Sequence, residues 1–146
     1  MIKANSCEVV LIMHIPTFSF RINTDFNINN VSLTNSMHNA LLNNTGPFIS
    51  IHNHPNNSFF SVKDLLTFLS YVNMQSCIVV GNSGKIIHIM TKRNKKKTSS
   101  FIYAIVEKLI RILIKNNLIK EHSSAKIYLD ILKDFGIQYK TYYEEG

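Results

Sequence analysis

The stretch from Ile49 to Asp64 constrains the fold more than any other part of the sequence. A short apolar run ends in two histidines, His52 and His54, which are one residue apart and are followed by a proline. A polar turn then leads to Ser61, and the apolar residues after Asp64 recur at helical spacing. The stretch therefore predicts a strand, a turn and a helix in immediate succession.

Three polar residues of this stretch are candidate metal ligands. Side chains alternate between the two faces of a strand, so His52 and His54 are expected on the same face. Asp64 is expected in the first turn of the helix that follows. Two imidazoles and a carboxylate, without a thiolate, suit zinc, and three protein ligands leave a fourth position for water, as in catalytic zinc sites. The sequence predicts zinc held by His52, His54 and Asp64.

Each half of the pattern also has an ordinary structural interpretation. Serine is a common N-cap, and the helix dipole favours an acidic residue in the first turn, so Ser61 and Asp64 could simply begin a helix. His52 and His54 could be two histidines on a strand surface. The occurrence of both halves together favours the metal site, and capping by Ser61 is compatible with metal binding by Asp64.

Length and composition predict one globular domain. The chain has 146 residues, 45% of them hydrophobic, which is enough for a sizeable core. Cys7 and Cys77 lie in apolar runs without CxxC spacing, so we expect buried free thiols in a reducing compartment. The N-terminal residues do not match a secretory signal, and no apolar run reaches membrane-spanning length. These features predict a cytoplasmic location and no membrane partner.

The chain is basic, with a formal net charge of +7. Part of this charge lies in the segment 92–97, where Lys95, Lys96 and Lys97 are consecutive. A basic segment attracts nucleic acid without sequence preference, so these three lysines are weak candidate DNA contacts. Asparagine and lysine are abundant along the whole chain, and a general compositional bias explains the charge equally well.

Apolar runs of strand length alternate with helical patterns along the chain. Strands are predicted at Glu8–Met13, Phe18–Ile22, Phe48–His52, Gln75–Val80, Lys85–Met90 and 138–143, and helices at about 34–43, 61–71, 99–116 and 123–136. In the helix from residue 99, the apolar spacing predicts one buried face and one charged face. The predicted buried residues are Ile102, Ile105, Val106, Leu109, Ile110 and Leu113, and the predicted outer residues are Glu107, Lys108, Arg111 and Lys115. Alternating strands and helices predict an α/β fold whose mixed sheet has helices on both faces.

A zinc site that cleaves an amide bond also needs a general base. Before His52 the acidic residues are Glu8 and Asp25. Asp25 is expected in a polar loop, whereas Glu8 opens an apolar strand, where a charged group is out of place. Glu8 is therefore the candidate base, and a solvated strand end is the alternative.

Together these residues carry a resemblance to a known family. A glutamate, a gap of some forty residues, His-x-His-Pro and Ser-x-x-Asp resemble the JAB/MPN (JAMM) zinc metalloprotease motif, and the sequence His-Asn-His-Pro at 52–55 is most similar to its RadC-like branch. The resemblance covers residues 7–90, and the helical pair over 99–136 matches only in general character. It implies a single domain over 1–146 with a mixed sheet between helices, similar to the cytidine deaminases.

The resemblance also implies roles for individual residues. His52, His54 and Asp64 correspond to the zinc ligands, Glu8 to the base that activates the zinc-bound water, and Ser61 to the hydroxyl that supports the oxyanion. The implied activity is that of a zinc-dependent metalloprotease or isopeptidase acting on a protein or peptide. A DNA-associated protein, since RadC-like proteins carry a DNA-repair label, and an inactive zinc-stabilised interaction module are the alternatives.

One spacing departs from the eukaryotic type of the motif. Six residues separate His54 from Ser61, where that type has seven. The reach of Asp64 toward the two histidines is therefore the feature that a structure has to test.

Overall fold

The computed structural model of the protein describes residues 8–25, 33–93 and 97–144. These residues form a sheet of six strands in the order β2-β1-β3-β4-β5-β6. The strands are β1 (Glu8–His14), β2 (Phe20–Asp25), β3 (Phe48–His54), β4 (Met74–Gly81), β5 (Ile86–Lys92) and β6 (Ile137–Tyr143). The helices are α1 (Asn35–Asn43), α2 (Val62–Ser70), α3 (Lys97–Lys115) and α4 (Lys126–Leu132), and a short 3-10 helix (Lys133–Phe135) follows α4.

The sheet is mixed, as predicted. β3 and β4 are parallel, and the other four neighbouring pairs are antiparallel. β3 is therefore an interior strand, bonded on one side to β1 and on the other to β4. The α2 crossover joins β3 to β4, so the end of β3 and the beginning of α2 meet at one edge of the sheet.

One face of the sheet carries the core. In β3 the side chains of Phe48, Ser50, His52 and His54 are buried, and those between them are half-buried. The same alternation continues in β5, and helices α1 to α4 all contribute residues to one core cluster with the buried strand residues. The buried polar residues of β3 thus lie on the face that the helices cover.

The described helices lie on this one face, which differs from the predicted sandwich. On the opposite face Val9, Phe20 and Ile22 are exposed, and no helix in residues 8–25, 33–93 or 97–144 covers them. The crossovers through α1 and α2 both advance in the same direction along the sheet. Connections of the same hand then place both helices on the same face, which alternating strands and helices alone do not reveal.

The element boundaries follow the predictions closely, with two corrections. β2 begins at Phe20 rather than Phe18, because Phe18 has φ 56° and lies in the turn. It extends to Asp25 rather than ending at Ile22, so Asp25 is the last residue of a strand and not part of the predicted loop. In α3, Ile102, Val106, Ile110 and Leu113 are buried or half-buried as predicted, but Ile105 and Leu109 are exposed and Glu107 is half-buried. Apolar residues surround most of α3, so periodicity predicted a wider buried face than the structure has. No helix among the described residues has the length and apolarity needed to cross a membrane.

Cys77 is a buried free thiol, and burial raises its pKa well above the ordinary value. This agrees with the expectation for Cys77, whereas Cys7 lies outside the described residues. A buried thiol with a raised pKa stays protonated and unreactive near neutral pH.

Lys92 is not part of a solvated basic loop. It is the last residue of β5 and is buried, and its ammonium donates to the carbonyl oxygens of Phe68 (2.5 Å) and Tyr71 (2.7 Å). These carbonyls belong to the last turn of α2 and its C-cap, which have no intrahelical donor. Lys92 therefore caps the C-terminal end of α2, and it does not contribute to the basic surface that the sequence suggested.

Burial lowers the pKa of Lys92 to about 7. Between pH 7 and about 10 the unfolded chain binds more protons at this residue than the folded chain, so the free energy of unfolding should rise with pH in that window. We expect the Lys92→Met variant to lack this rise. Urea unfolding of both proteins at pH 7, 8 and 9 measures the difference, and parallel pH dependences would contradict the assignment.

Candidate metal centre

Strand β3 brings the two histidines together. His52 and His54 point to the covered face of the sheet, and both are buried. Their Nε2 atoms lie 3.1 Å apart. The predicted placement on one face is therefore what the strand produces.

Helix α2 brings the carboxylate. Ser61 is its N-cap, and Ser61 and Asp64 form a reciprocal capping box. The Asp64 N–H donates to Ser61 Oγ (3.1 Å), and the Ser61 N–H donates to Asp64 Oδ2 (2.7 Å). The cap holds the Asp64 side chain against the beginning of the helix, so the capping interpretation is confirmed, and the same carboxylate lies beside His52 and His54.

The distances among the three side chains fit a metal ion. Asp64 Oδ1 lies 3.1 Å from His52 Nε2, and Asp64 Oδ2 lies 3.3 Å from His54 Nε2. Donor atoms that surround zinc tetrahedrally at about 2.0–2.1 Å are about 3.3 Å apart. The three observed separations are close to this value, although the two from Asp64 involve different oxygens, and one ligand atom from each residue lies within 4.8 Å of the others.

A backbone contact orients His54. Its Nδ1 lies 2.9 Å from the carbonyl oxygen of Ser58, to which it can donate only when it carries the proton. In neutral imidazole this leaves the lone pair on Nε2, which faces His52 and Asp64. A histidine ligand held by a carbonyl at its second nitrogen is the usual arrangement in metal sites.

The charges of the cluster reinforce each other. Burial acts to raise the pKa of Asp64, but the adjacent His52 and His54 outweigh it and hold that pKa far below the ordinary range. Burial acts to lower the pKa of His54, but the hydrogen bond and charge of Asp64 outweigh it, and the net pKa is raised. Asp64 is therefore ionised at any physiological pH, as a metal ligand must be.

The short turn between His54 and Ser61 does not misplace Asp64. Asn57 takes a left-handed conformation with φ 57°, which asparagine tolerates better than most residues. Its side-chain oxygen accepts from the Ser83 N–H (3.2 Å). A Cβ atom on Gly81 would lie 2.2 Å from that oxygen, so the turn fits only against a glycine at the end of β4.

The beginning of α2 is held from a distant part of the chain. The N–H groups of Val62 and Lys63 donate to the carbonyl oxygens of Ser123 (2.8 Å) and Glu121 (3.0 Å). With Asp64 bonded to Ser61, the first three N–H groups of the helix all have partners. The helix end is therefore fixed without any ligand.

Glu8 lines the same cavity as the cluster. It lies two residues before Val10, which pairs with His52 in the antiparallel register. Glu8 and His54 are therefore on the same face and at the same end of the sheet. The charge of Glu8 also contributes to the raised pKa of His54. Glu8 and Ser61 thus line the same cavity as the two histidines.

The other histidines that the structure describes lie outside the cluster, although His38 and His122 line the same cavity. His14, His38 and His88 contact Thr17, Tyr71 and Thr141 through ring nitrogens and take no part in the cluster, and His122 is exposed. Lys95 and Lys96 lie outside the described residues, and so does the side chain of Lys97. The DNA contacts proposed for these three lysines remain predictions.

The sequence did not identify the residues that shape the turn between His54 and Ser61 or orient His54 through backbone contacts. The Ser58 carbonyl, the Asn57 conformation and the Gly81 contact have no motif of their own. The consecutive asparagines at 56 and 57 indicate a turn. Their spacing does not indicate which strand end the turn packs against.

Comparisons of the chain with protein-family models, curated proteins and solved structures found no match.

The cluster makes a direct prediction about metal content. Purified protein should hold about one zinc ion per chain, and His52→Ala, His54→Ala or Asp64→Ala should each reduce this to a small fraction, because each removes one of three ligands. Elemental analysis for zinc, iron and manganese after dialysis provides the measurement.

His122→Ala is the matched control, since His122 is exposed and lines the same cavity outside the cluster. It should leave the zinc content unchanged. Iron in place of zinc, or zinc that survives all three ligand substitutions, would contradict the assignment.

Proposed function

We propose that this chain is a zinc-dependent hydrolase of the JAB/MPN type that cleaves an amide bond in a protein or peptide. The observation that carries the proposal is the cluster of His52, His54 and Asp64 in a cavity that Glu8 and Ser61 also line: the two Nε2 atoms are 3.1 Å apart, and a different Asp64 oxygen lies 3.1–3.3 Å from each of them. A purely structural zinc site is closed by four protein ligands. Here three described ligands face a cavity, which favours catalysis.

Each residue has a role that its position supports. His52, His54 and Asp64 would hold the ion, and a bound zinc ion supplies Lewis acidity toward water and toward an amide carbonyl. Glu8 would take a proton from the attacking water and return it to the departing amine, which a carboxylate beside the reacting atoms can do in sequence. Both proton transfers occur at the same carboxylate, so no further acid is needed.

The role of Ser61 follows from how the helix end is bonded. The N–H groups of residues 61–64 all donate to partners inside the protein, so the backbone at this helix N-terminus offers no donor to a ligand. The Ser61 oxygen accepts from Asp64, and its own hydroxyl proton remains to be donated. We assign the stabilisation of the developing oxyanion to this hydroxyl.

The proposal predicts a loss of turnover in Glu8→Gln with metal and fold retained. Removing a general base costs about 10²–10⁴-fold in rate. Zinc-loaded wild type and variant can be incubated with a mixture of peptides and isopeptide-linked peptides and the products followed by mass spectrometry. Glu121→Gln, which changes an exposed acid outside the cavity, should retain full turnover.

Equal turnover in wild type and Glu8→Gln would contradict the role of Glu8. If zinc binds and no amide or isopeptide bond is cleaved, the hydrolase proposal fails, and the zinc-stabilised interaction module becomes the better account.

Substitutions at Ser61 separate its two roles. Ser61→Ala should cost about 1 kcal/mol of stability through loss of the cap, whereas Ser61→Gly should cost only a few tenths of that. Both variants lack the hydroxyl, so both should lose turnover by about 10²-fold or more. Thermal unfolding and the peptide assay provide the two readouts. If turnover falls only in proportion to stability, Ser61 is a cap alone.

A further inference from the structure

The cavity beside the metal cluster is larger than a metal site requires. Its volume is about 830 Å³, and it continues along α2 to a second polar cluster. This cluster is formed by Ser70 at the end of α2 and by Glu107 and Arg111 of α3. One continuous cavity therefore joins the metal ligands at the beginning of α2 to these side chains at its end.

The guanidinium of Arg111 is held in position by two contacts. Its Nε donates to Glu107 Oε1 (3.0 Å), and its Nη2 donates to Ser70 Oγ (3.2 Å). These contacts use two of its five N–H groups, and the remaining three have no partner among the described residues. The Arg111 side chain is 57% exposed, so the unused edge is accessible from the cavity.

Glu107 partly neutralises the positive charge of Arg111. It is the only described carboxylate bonded to Arg111, and its side chain is 23% exposed. A ligand anion would share the guanidinium with Glu107. The planar edge of arginine matches a carboxylate in two parallel hydrogen bonds, which the compact ammonium of lysine cannot reproduce.

The separation of the two clusters fits a short piece of peptide. Asp64 and Ser70 are six residues apart on α2, which corresponds to about 9 Å along the helix axis at 1.5 Å per residue. An extended peptide advances about 3.3 Å per residue, so about three residues span this distance. Met74 and Leu42 line the cavity as well and offer apolar contact to the side chains between the two ends.

We propose that Arg111 is a specificity residue, which binds a carboxylate of the substrate about three residues from the bond that is cleaved. The substrate class is therefore a peptide with an acidic side chain at that position. This inference rests on the proposed amide hydrolysis for the meaning of the cleaved bond. Binding of the carboxylate can be measured independently of cleavage.

The test uses zinc-loaded protein and a set of alanine-based octapeptides with blocked ends. Each carries one glutamate, moved from position to position, and has a partner with glutamine in its place. We expect one position, or two adjacent ones, at which glutamate binds about 10-fold more tightly than glutamine, as expected for hydrogen bonds to a charged group. Competition fluorescence anisotropy measures binding, and mass spectrometry identifies any cleaved bond.

Three variants distinguish recognition from a structural role of Arg111. Arg111→Gln should abolish the preference for glutamate, and Lys108→Gln, which removes the same charge from an exposed position on α3, should retain it. Glu107→Gln should increase the preference, because it removes the competing carboxylate and keeps an oxygen acceptor for Arg111. If Arg111 only packed α2 against α3, Arg111→Gln and Glu107→Gln would not change the glutamate preference in opposite directions.

The outcomes separate the two proposals. A preference that depends on Arg111 without any cleavage supports the carboxylate site and contradicts the hydrolase. Cleavage with no preference at any position, or with a preference that survives Arg111→Gln, overturns the carboxylate site and leaves the hydrolase standing. Failure of every peptide to bind overturns the carboxylate site as well.

Discussion

The reciprocal cap between Ser61 and Asp64 is the interaction on which the candidate centre depends. It makes one carboxylate serve two purposes, since Oδ2 accepts from the Ser61 N–H while Oδ1 lies beside His52. The side chain is thereby fixed before any ion arrives. A ligand that is already oriented loses little conformational entropy when it binds metal, and this favours a well-defined coordination geometry.

The sheet supplies the second half of that geometry. β3 is an interior strand, so its register is set by β1 on one side and β4 on the other. A shift of one residue would turn both histidines to the opposite face, and bonding on both sides opposes such a shift. The same register places Glu8 on the face and at the end of the sheet where the histidines lie.

Much of the fold and of the candidate centre could be predicted, and the particular failures have physical causes. His52, His54 and Asp64 were predictable because period-2 alternation and helix capping are local properties of the sequence. The side of the sheet that the helices cover depends on the direction of two crossovers, which is not local. Lys92 looked like surface charge because nothing near it in sequence indicates the carbonyl oxygens of Phe68 and Tyr71.

The environment of Arg111, like that of Lys92, depends on an element that is distant in the sequence. Its spacing from Glu107 predicts a solvated ion pair on α3, and only the packing of α3 against α2 brings both to Ser70. Residues whose environment is set by a distant element are those for which sequence patterns were least informative.

The bonds from Val62 and Lys63 to Ser123 and Glu121 have a consequence for the order of assembly. The ligands are encoded between residues 52 and 64, yet the helix end that carries Asp64 is held by carbonyl groups some sixty residues later. During synthesis, the histidines leave the ribosome long before the segment that secures their carboxylate partner. The helix end that carries Asp64 is thus fully bonded only after the segment that contains Glu121 and Ser123 has been synthesised.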